Sequence, residues 1–459
     1  MIDKTVRELN RLVEAREINI TELAEQYIAE IHQHNGHYQA IATFSETSFR
    51  LLSETADQML QSGEARGPLH GIPILIDDLI DVANLRTSYG CEAYSDHVPD
   101  VESIVVRRLR DAGALFPGKA STSELGLILE EEEDRFICRS AWGDDFVSGG
   151  GTSGVMVGTF KNFAAAAIAV DVGGNVLLPA AFNGMFALVP SYGRIAHTPI
   201  YSRGLMFASV ALITKDVADS AFLMNIVAEH SEVDPLSVRM PSANYMAAIE
   251  RPTRGLSVAL TNALWNAPCD DDHRSAISRI EKSLKSTDCK VEYKRPPIRE
   301  TIDAWRTIQC ANLHVSHGHQ QQQNPDKFGT IAAEWIAQGA QTSALEYIEA
   351  QKRIYGLRLI LREFFTSFDV LIVSAAGCVP FKYGTVPSNL QAEDNLTGWQ
   401  DYASMCNIAA VSGFPTANLP VGLSKEGLPI CVIAIAKPGD EDLLLSLCAI
   451  LEDSTTEQK

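Results

Sequence analysis

The chain contains no apolar run long enough to cross a bilayer. Its longest, residues 163–170 and 430–436, stop well short of the about 20 residues that a helical span needs. The first residues, Met1-Ile2-Asp3-Lys4-Thr5-Val6, lack the apolar core of a signal peptide, so the expected compartment is the cytoplasm. Cys-x-x-Cys pairs are missing too. The nine cysteines are an odd number, which fits reduced structural thiols and argues against a zinc site. No metal or other cofactor is expected. Cations are scarce: 38 Lys and Arg against 58 Asp and Glu leave a formal net charge of -20. Such a field repels phosphate and excludes nucleic acid and an anionic membrane as expected partners. Linkers rich in Pro, Gly or Ser are absent, as are internal repeats, so residues 1–459 are read as a single domain.

The one low-complexity tract, Gln320-Gln321-Gln322-Gln323, follows His314, His317 and His319. Without a matching Cys or carboxylate cluster it reads as a flexible polar surface segment, not a metal site.

What is present is ordinary globular material, 46% hydrophobic and 21% charged. Asn19-Ile20-Thr21-Glu22 offers a helix cap, and Leu23, Tyr27, Ile28 and Ile31 continue it as an apolar stripe. Gly67-Pro68-Leu69-His70-Gly71 breaks the pattern, and Ile72-Pro73-Ile74-Leu75-Ile76 suits a buried strand. Residues 103–112 are helical in period, while Gly118-Lys119-Ala120-Ser121 reads as a turn. Residues 256–260 and 368–373 read as further buried strands, separated by helical patterns such as 275–284 and 345–365. Strands alternating with helices predict an α/β protein with a largely parallel sheet.

One segment carries more. Asp171-Val172-Gly173-Gly174-Asn175-Val176, followed by Pro179-Ala180-Ala181-Phe182-Asn183-Gly184, resembles the nucleophile loop of the amidase signature family, Asp-Thr-Gly-Gly-Ser-Ile-Arg-x-Pro-Ala-Ala-Phe-Cys-Gly. Gly67 through Ile74 is similar to the family's Gly-Pro-Leu-His-Gly-Ile-Pro-Ile, and Gly118-Lys119 through Glu124-Leu125 to its Gly-Lys-Thr-Asn-x-x-Glu-Phe. Pro190-Ser191-Tyr192-Gly193-Arg194, Ala410 to Pro415, Leu419-Pro420-Val421 and Gly427-Leu428-Pro429-Ile430 extend the likeness over almost the whole chain. Several ordered motifs at family spacing carry more weight than one glycine loop. The resemblance, which includes the amidotransferase A subunit branch, implies an amidase-signature-like α/β fold with a large mixed central sheet flanked by helices on both faces.

It also implies a mechanism that this chain lacks the side chains to perform. In the family a Ser attacks an amide carbonyl, a second Ser relays its proton, and an uncharged Lys accepts it, because a hydroxyl is a poor nucleophile until a base removes its proton. The position of the Lys is Asp77, that of the relay Ser is Gly151 (or Thr152, with a slip of one residue), and that of the nucleophile is Asn175. Leu177 stands where Arg is usual, and Asn183 and Val189 where Cys and Lys are common. Losing such a triad typically costs about a millionfold in turnover.

Backbone amides need no side chain. Val172, Gly173, Gly174 and Asn175 are therefore expected to bind a ligand carbonyl or carboxylate as the family's oxyanion hole does, unless the glycines persist only for their dihedral freedom. Asp171 is expected to brace the loop. Asp77, beside Asp78, is either a vestige, a buried acid able to serve as general acid or base, or the seat of a cationic ligand. The acidic run Glu130-Glu131-Glu132-Glu133-Asp134 is a solvated face or an acidic rim over the pocket.

Three functions follow. The first is a catalytically degenerate homologue, a pseudo-amidase that binds a small molecule or a partner protein; reverting Asp77, Gly151 and Asn175 is then expected to leave folding intact. The second is an enzyme with repurposed acid–base or cyclisation chemistry at Asp77. The third is an amidase working by another route, with Thr152 or Ser153 as nucleophile and Asp77 as base. A homo-oligomer is compatible with each.

Overall fold

Local signals set the first elements. Thr5 and Glu8 form a reciprocal capping box at the start of α1 (Val6–Glu14). Asn19 caps α2 (Ile20–Tyr38) by accepting the Glu22 N–H at 2.9 Å, as the sequence predicts. The computed structural model of the chain describes residues 1–127, 138–198, 207–241, 243–251, 255–265, 267, 269–385 and 399–456. The acidic run at 130–134 lies outside the described residues.

The strands are β1 (Ile41–Phe44), β2 (Ile74–Asp77), β3 (Gly118–Ala120), β4 (Ala166–Asp171), β5 (Phe186–Val189) and β6 (Ser209–Thr214), then β7 (Ser257–Thr261), β8 (Lys290–Tyr293), β9 (Val370–Ser374), β10 (Thr416–Leu423) and β11 (Pro429–Ala436). They join in one eleven-stranded sheet, in the order β1-β3-β2-β4-β6-β5-β10-β11-β9-β7-β8.

Alternation along the strands divides the core into two layers. In β4, Ala167 and Ala169 belong to one apolar cluster and Ala166, Ile168 and Val170 to the other. The first face is covered by α5 (Ser153–Phe160), α6 (Leu177–Asn183), α10 (Ile302–Gln323), α11 (Thr330–Gln341), α12 (Ala344–Phe364) and α13 (Trp399–Ser412). The second is covered by α1, most of α2, α3 (Glu46–Ser62), α4 (Ile104–Asp111), α7 (Val217–Val227), α8 (Tyr245–Ile249), α9 (Asp271–Lys285) and α14 (Glu441–Thr456). With both faces buried, the strands read as continuous apolar runs.

Three expectations change. The sheet is mixed, not largely parallel: β2 runs parallel to β3 and β4, and β7 to β8 and β9. Every pairing from β4 across to β9 is antiparallel. Residues 118–120 form β3 instead of a turn, because β1 and β2 pair with them on either side and Lys119 finds buried acceptors. The glutamine tract closes α10 as regular helix. Among the described residues no helix is long and apolar enough to cross a membrane, and no group of His, Cys, Asp or Glu could hold a metal ion.

Candidate functional site

The site is built where β2 and β4 end side by side. β4 ends at Asp171, and a short loop leads from it into α6 at Leu177. Asp171 organises that loop: Oδ1 accepts the N–H groups of Gly173 at 2.9 Å and Gly174 at 2.7 Å, and Oδ2 that of Val176 at 3.2 Å. Burial raises its pKa, while these amides pull it back toward the ionised form that they need.

Asn175 points into the same loop. Its Oδ1 accepts the Val172 N–H at 2.7 Å and its Nδ2 donates to the Val170 carbonyl at 2.9 Å. The opposite flip would set donor against donor, so both contacts fix the orientation of the carboxamide. The amides of Val172, Gly173 and Gly174 are thus engaged within the loop. The Asn175 N–H has no acceptor among the described residues, although the residue is buried.

Helices from elsewhere in the chain lie over this loop. Trp305 and Gln309, one turn apart on α10, both donate to the Val172 carbonyl, at 2.8 and 3.2 Å. From α13, Asn407 Nδ2 donates to the Gly173 carbonyl at 3.0 Å. Gly173 has φ +154°, and a Cβ there would lie 2.3 Å from the Trp305 indole nitrogen, so the glycine is what lets the indole sit on the loop. Sequence reasoning missed Trp305, Gln309 and Asn407. Their types carry no motif, and they lie more than 130 residues along the chain from the groups they bind.

Gly151 packs against the far side of the loop. Its φ is +49°, and a Cβ would stand 2.3 Å from the Asn175 carbonyl oxygen. A serine at 151 therefore collides with backbone unless the loop shifts, which counts against the expectation that reverting all three positions leaves folding intact. Thr152, the alternative relay position, spends its hydroxyl on the same Asn175 carbonyl at 3.1 Å. Ser153 Oγ is buried without a hydrogen-bond partner among the described residues. Neither hydroxyl bonds to Asp77.

Asp77, at the end of β2, is fully buried. Its carboxylate accepts the N–H groups of Leu79 and Val170, each at 3.4 Å. Burial pushes its pKa up to about 7, Lys119 and the two amides pull it down, and Asp78 pushes it up again. Asp78 has other partners. One oxygen accepts from the Ser88 backbone at 3.0 Å and hydroxyl at 2.5 Å, and the other from Lys119 Nζ at 3.4 Å. Lys119 also donates to the Ile80 carbonyl at 2.7 Å and the Thr87 hydroxyl at 2.9 Å, while its burial lowers its pKa. An open cleft of about 540 Å³ adjoins this group, lined among others by Asp78, Arg86, Ser88, Ser121 and Thr122. Leu177 and Val189 are buried, and Asn183 bonds the carbonyls of Ser148 and Pro179.

The amidase family model matches residues 22–445, nearly the whole chain. The chain belongs to the amidase family. Among its amidase relatives, the A subunit of glutamyl-tRNA(Gln) amidotransferase from Moorella thermoacetica is 27% identical, aligned over 98% of this chain and 96% of the relative. The corresponding protein of Caldanaerobacter subterraneus is 25% identical over the same shares. Among solved structures, a bacterial aryl acylamidase superposes with a TM-score of 0.90 at 23% identity, covering 98% of this chain and 96% of its own. A 6-aminohexanoate cyclic dimer hydrolase bound to substrate gives 0.89 at 23% identity, covering 99% and 97%. A chain described within a vestigial protein complex, tied to the origins of an s-triazine catabolic enzyme, gives 0.88 at 18%, covering 98% of each. These superpositions place the amidase fold, with its mixed sheet and two helical layers, on firm ground.

Proposed function

We propose that this amidase-family chain is a non-hydrolytic binding protein, a pseudo-amidase acting with a partner or a small ligand. One observation carries the reading: the Asn175 carboxamide is built into the loop as a backbone clamp between Val170 and Val172. A side chain held by two buried hydrogen bonds is a structural member, and an amide nitrogen is no nucleophile. Asp77 and Gly151 agree with it, since neither supplies an amine base or a hydroxyl relay.

The loop keeps one donor. Of Val172, Gly173, Gly174 and Asn175, only the Asn175 N–H is uncommitted among the described residues. A buried N–H without an acceptor is costly, so this is the point at which a ligand carbonyl or carboxylate binds in our reading. Relatives named as one component of an amidotransferase, and as a chain of a vestigial complex, support a role within an assembly. All nine cysteines are buried and carry thiols instead of disulfides, which supports the cytoplasm as the compartment.

The test pairs two measurements on the purified chain. Thermal-shift titration with small carboxylates and primary amides is expected to raise the melting temperature. Assays against aryl amides, dipeptide amides and glutamine are expected to give no turnover. Hydrolysis that disappears in Asn175→Ala would refute the reading. A second reading, acid–base chemistry at Asp77, draws on its pKa near neutrality; it requires a substrate whose conversion is lost in Asp77→Asn while folding is kept.

A further inference from the structure

Helix α12 is apolar on two opposite faces. Ala350, Ile354, Leu357, Leu361 and Phe364 point into the core. On the other side, Leu345, Ile348, Tyr355 and Leu359 are 67%, 49%, 63% and 49% exposed. With Lys352 they fall at alternating steps of three and four, so they form one straight line along the helix. At about 100° per residue that line lies opposite the buried set. A surface helix of a globular protein needs one apolar stripe. The second has no cover among the described residues.

Gly356 sits beside this line. A Cβ there would meet nothing within 4 Å, so the packing of the chain itself does not call for glycine, although glycine weakens a helix interior. Charge is also sorted along the helix. Glu346 and Glu349 occupy its first part, while Lys352, Arg353 and Arg362 follow, against only Glu363; Arg358 is turned inward to the Val411 carbonyl.

We propose that α12 is a self-association surface that pairs antiparallel with α12 of a second copy across a two-fold axis near Lys352. In that register Ile348 of each copy meets Tyr355 of the other. Leu345 of each fits between Gly356 and Leu359 of the other, where the missing side chain leaves room. Glu349 of one copy reaches Lys352 of the other, on both sides of the axis, while Arg353 lies toward Glu300 of its own chain. The two Lys352 stems pack at the axis while their ammonium groups turn outward to those glutamates. Parallel pairing would set Glu349 beside Glu349 and Lys352 beside Lys352, so charge selects the antiparallel arrangement. The face is self-complementary, as a closed two-fold dimer requires. On a chain of net charge -20, these local cations also relieve the repulsion between two copies.

Sedimentation velocity on the full chain is expected to give a dimer. Ile348→Glu and Leu359→Glu, both at exposed positions, are expected to raise the dimer dissociation constant about tenfold or more without shifting the far-ultraviolet circular dichroism. Glu349→Lys and Lys352→Glu should each weaken the dimer, and the two together should restore it. Lys352→Cys, at the axis, should form a disulfide-linked dimer under mild oxidation, whereas Val315→Cys, 85% exposed on α10, should not. A native chain that stays monomeric at every concentration overturns the proposal. So does a dimer that survives Leu359→Glu, or one in which Lys352→Cys fails to cross-link. None of these outcomes bears on the Asn175 loop, so the proposal stands or falls apart from the non-hydrolytic reading.

Discussion

Asp77 and Asn175 hold opposite sides of a single residue. The Asp77 carboxylate accepts the N–H of Val170 at 3.4 Å, and the Asn175 carboxamide donates to the carbonyl of Val170 at 2.9 Å. Two positions where the family resemblance implies a base and a nucleophile thus act together as a brace on the end of β4. The brace is buried, and removing either half leaves a backbone group without its partner.

Asn175→Ala orphans the Val172 N–H and the Val170 carbonyl together. It should destabilise the chain by about 2 to 6 kcal/mol, at about 1 to 3 kcal/mol per buried group left unsatisfied. Asn175→Asp should be worse at neutral pH, because a carboxylate oxygen then faces the Val170 carbonyl. Chemical denaturation followed by circular dichroism measures both.

Asp77 makes stability depend on pH in an unusual direction. Its folded pKa of about 7 lies above the ordinary carboxyl value of 3.8, so between these values the folded state keeps a proton that the unfolded state has lost. The contribution of this group to stability therefore falls as pH rises from about 4 to about 7, and levels off above. Asp77→Asn keeps an acceptor for Val170 but cannot ionise. The variant should melt higher than the native chain at pH 8, and the gap should close toward pH 4. A gap independent of pH would contradict the raised pKa.

Gly151→Ser and Gly151→Ala should lower the melting temperature about equally, since the collision is at Cβ, 2.3 Å from the Asn175 carbonyl oxygen. Left-handed strain alone costs about 1 to 3 kcal/mol, and the contact adds to it. A Gly151→Ser variant as stable as the native chain would mean that the loop moves freely to admit a side chain.

Lys119→Met leaves Asp78 buried opposite an apolar group. Breaking a buried pair by removing one partner costs about 3 to 5 kcal/mol, so soluble yield and melting temperature should both fall. Adding Asp78→Asn should recover part of the loss, because Asn still accepts from Ser88 and carries no charge.

Local chemistry is legible wherever neighbours in sequence decide the outcome. The cap at Asn19 needs only Glu22, three residues on, and β2, β7 and β9 announce themselves as short apolar runs because both faces of the sheet are buried. Residues 118–120 mislead because a glycine beside a lysine looks like a turn. Only pairing with β1 and β2, and acceptors at Ile80 and Thr87, turn Lys119 into a buried strand residue.

The sequence by itself determined the family, the alternation of strands and helices, and the identities Asp77, Gly151 and Asn175, because each is written in residues a few positions apart. Tertiary structure alone decided what those residues do. Whether Asn175 faces a ligand or its own backbone depends on Val170 and Val172 being held at the end of a strand. Whether Gly151 could be serine depends on a carbonyl 24 residues away, and whether Asp77 is charged depends on water that the surrounding layers exclude. Hydrogen-bond direction, close approach and desolvation are properties of groups brought together by folding, and no spacing along the chain encodes them.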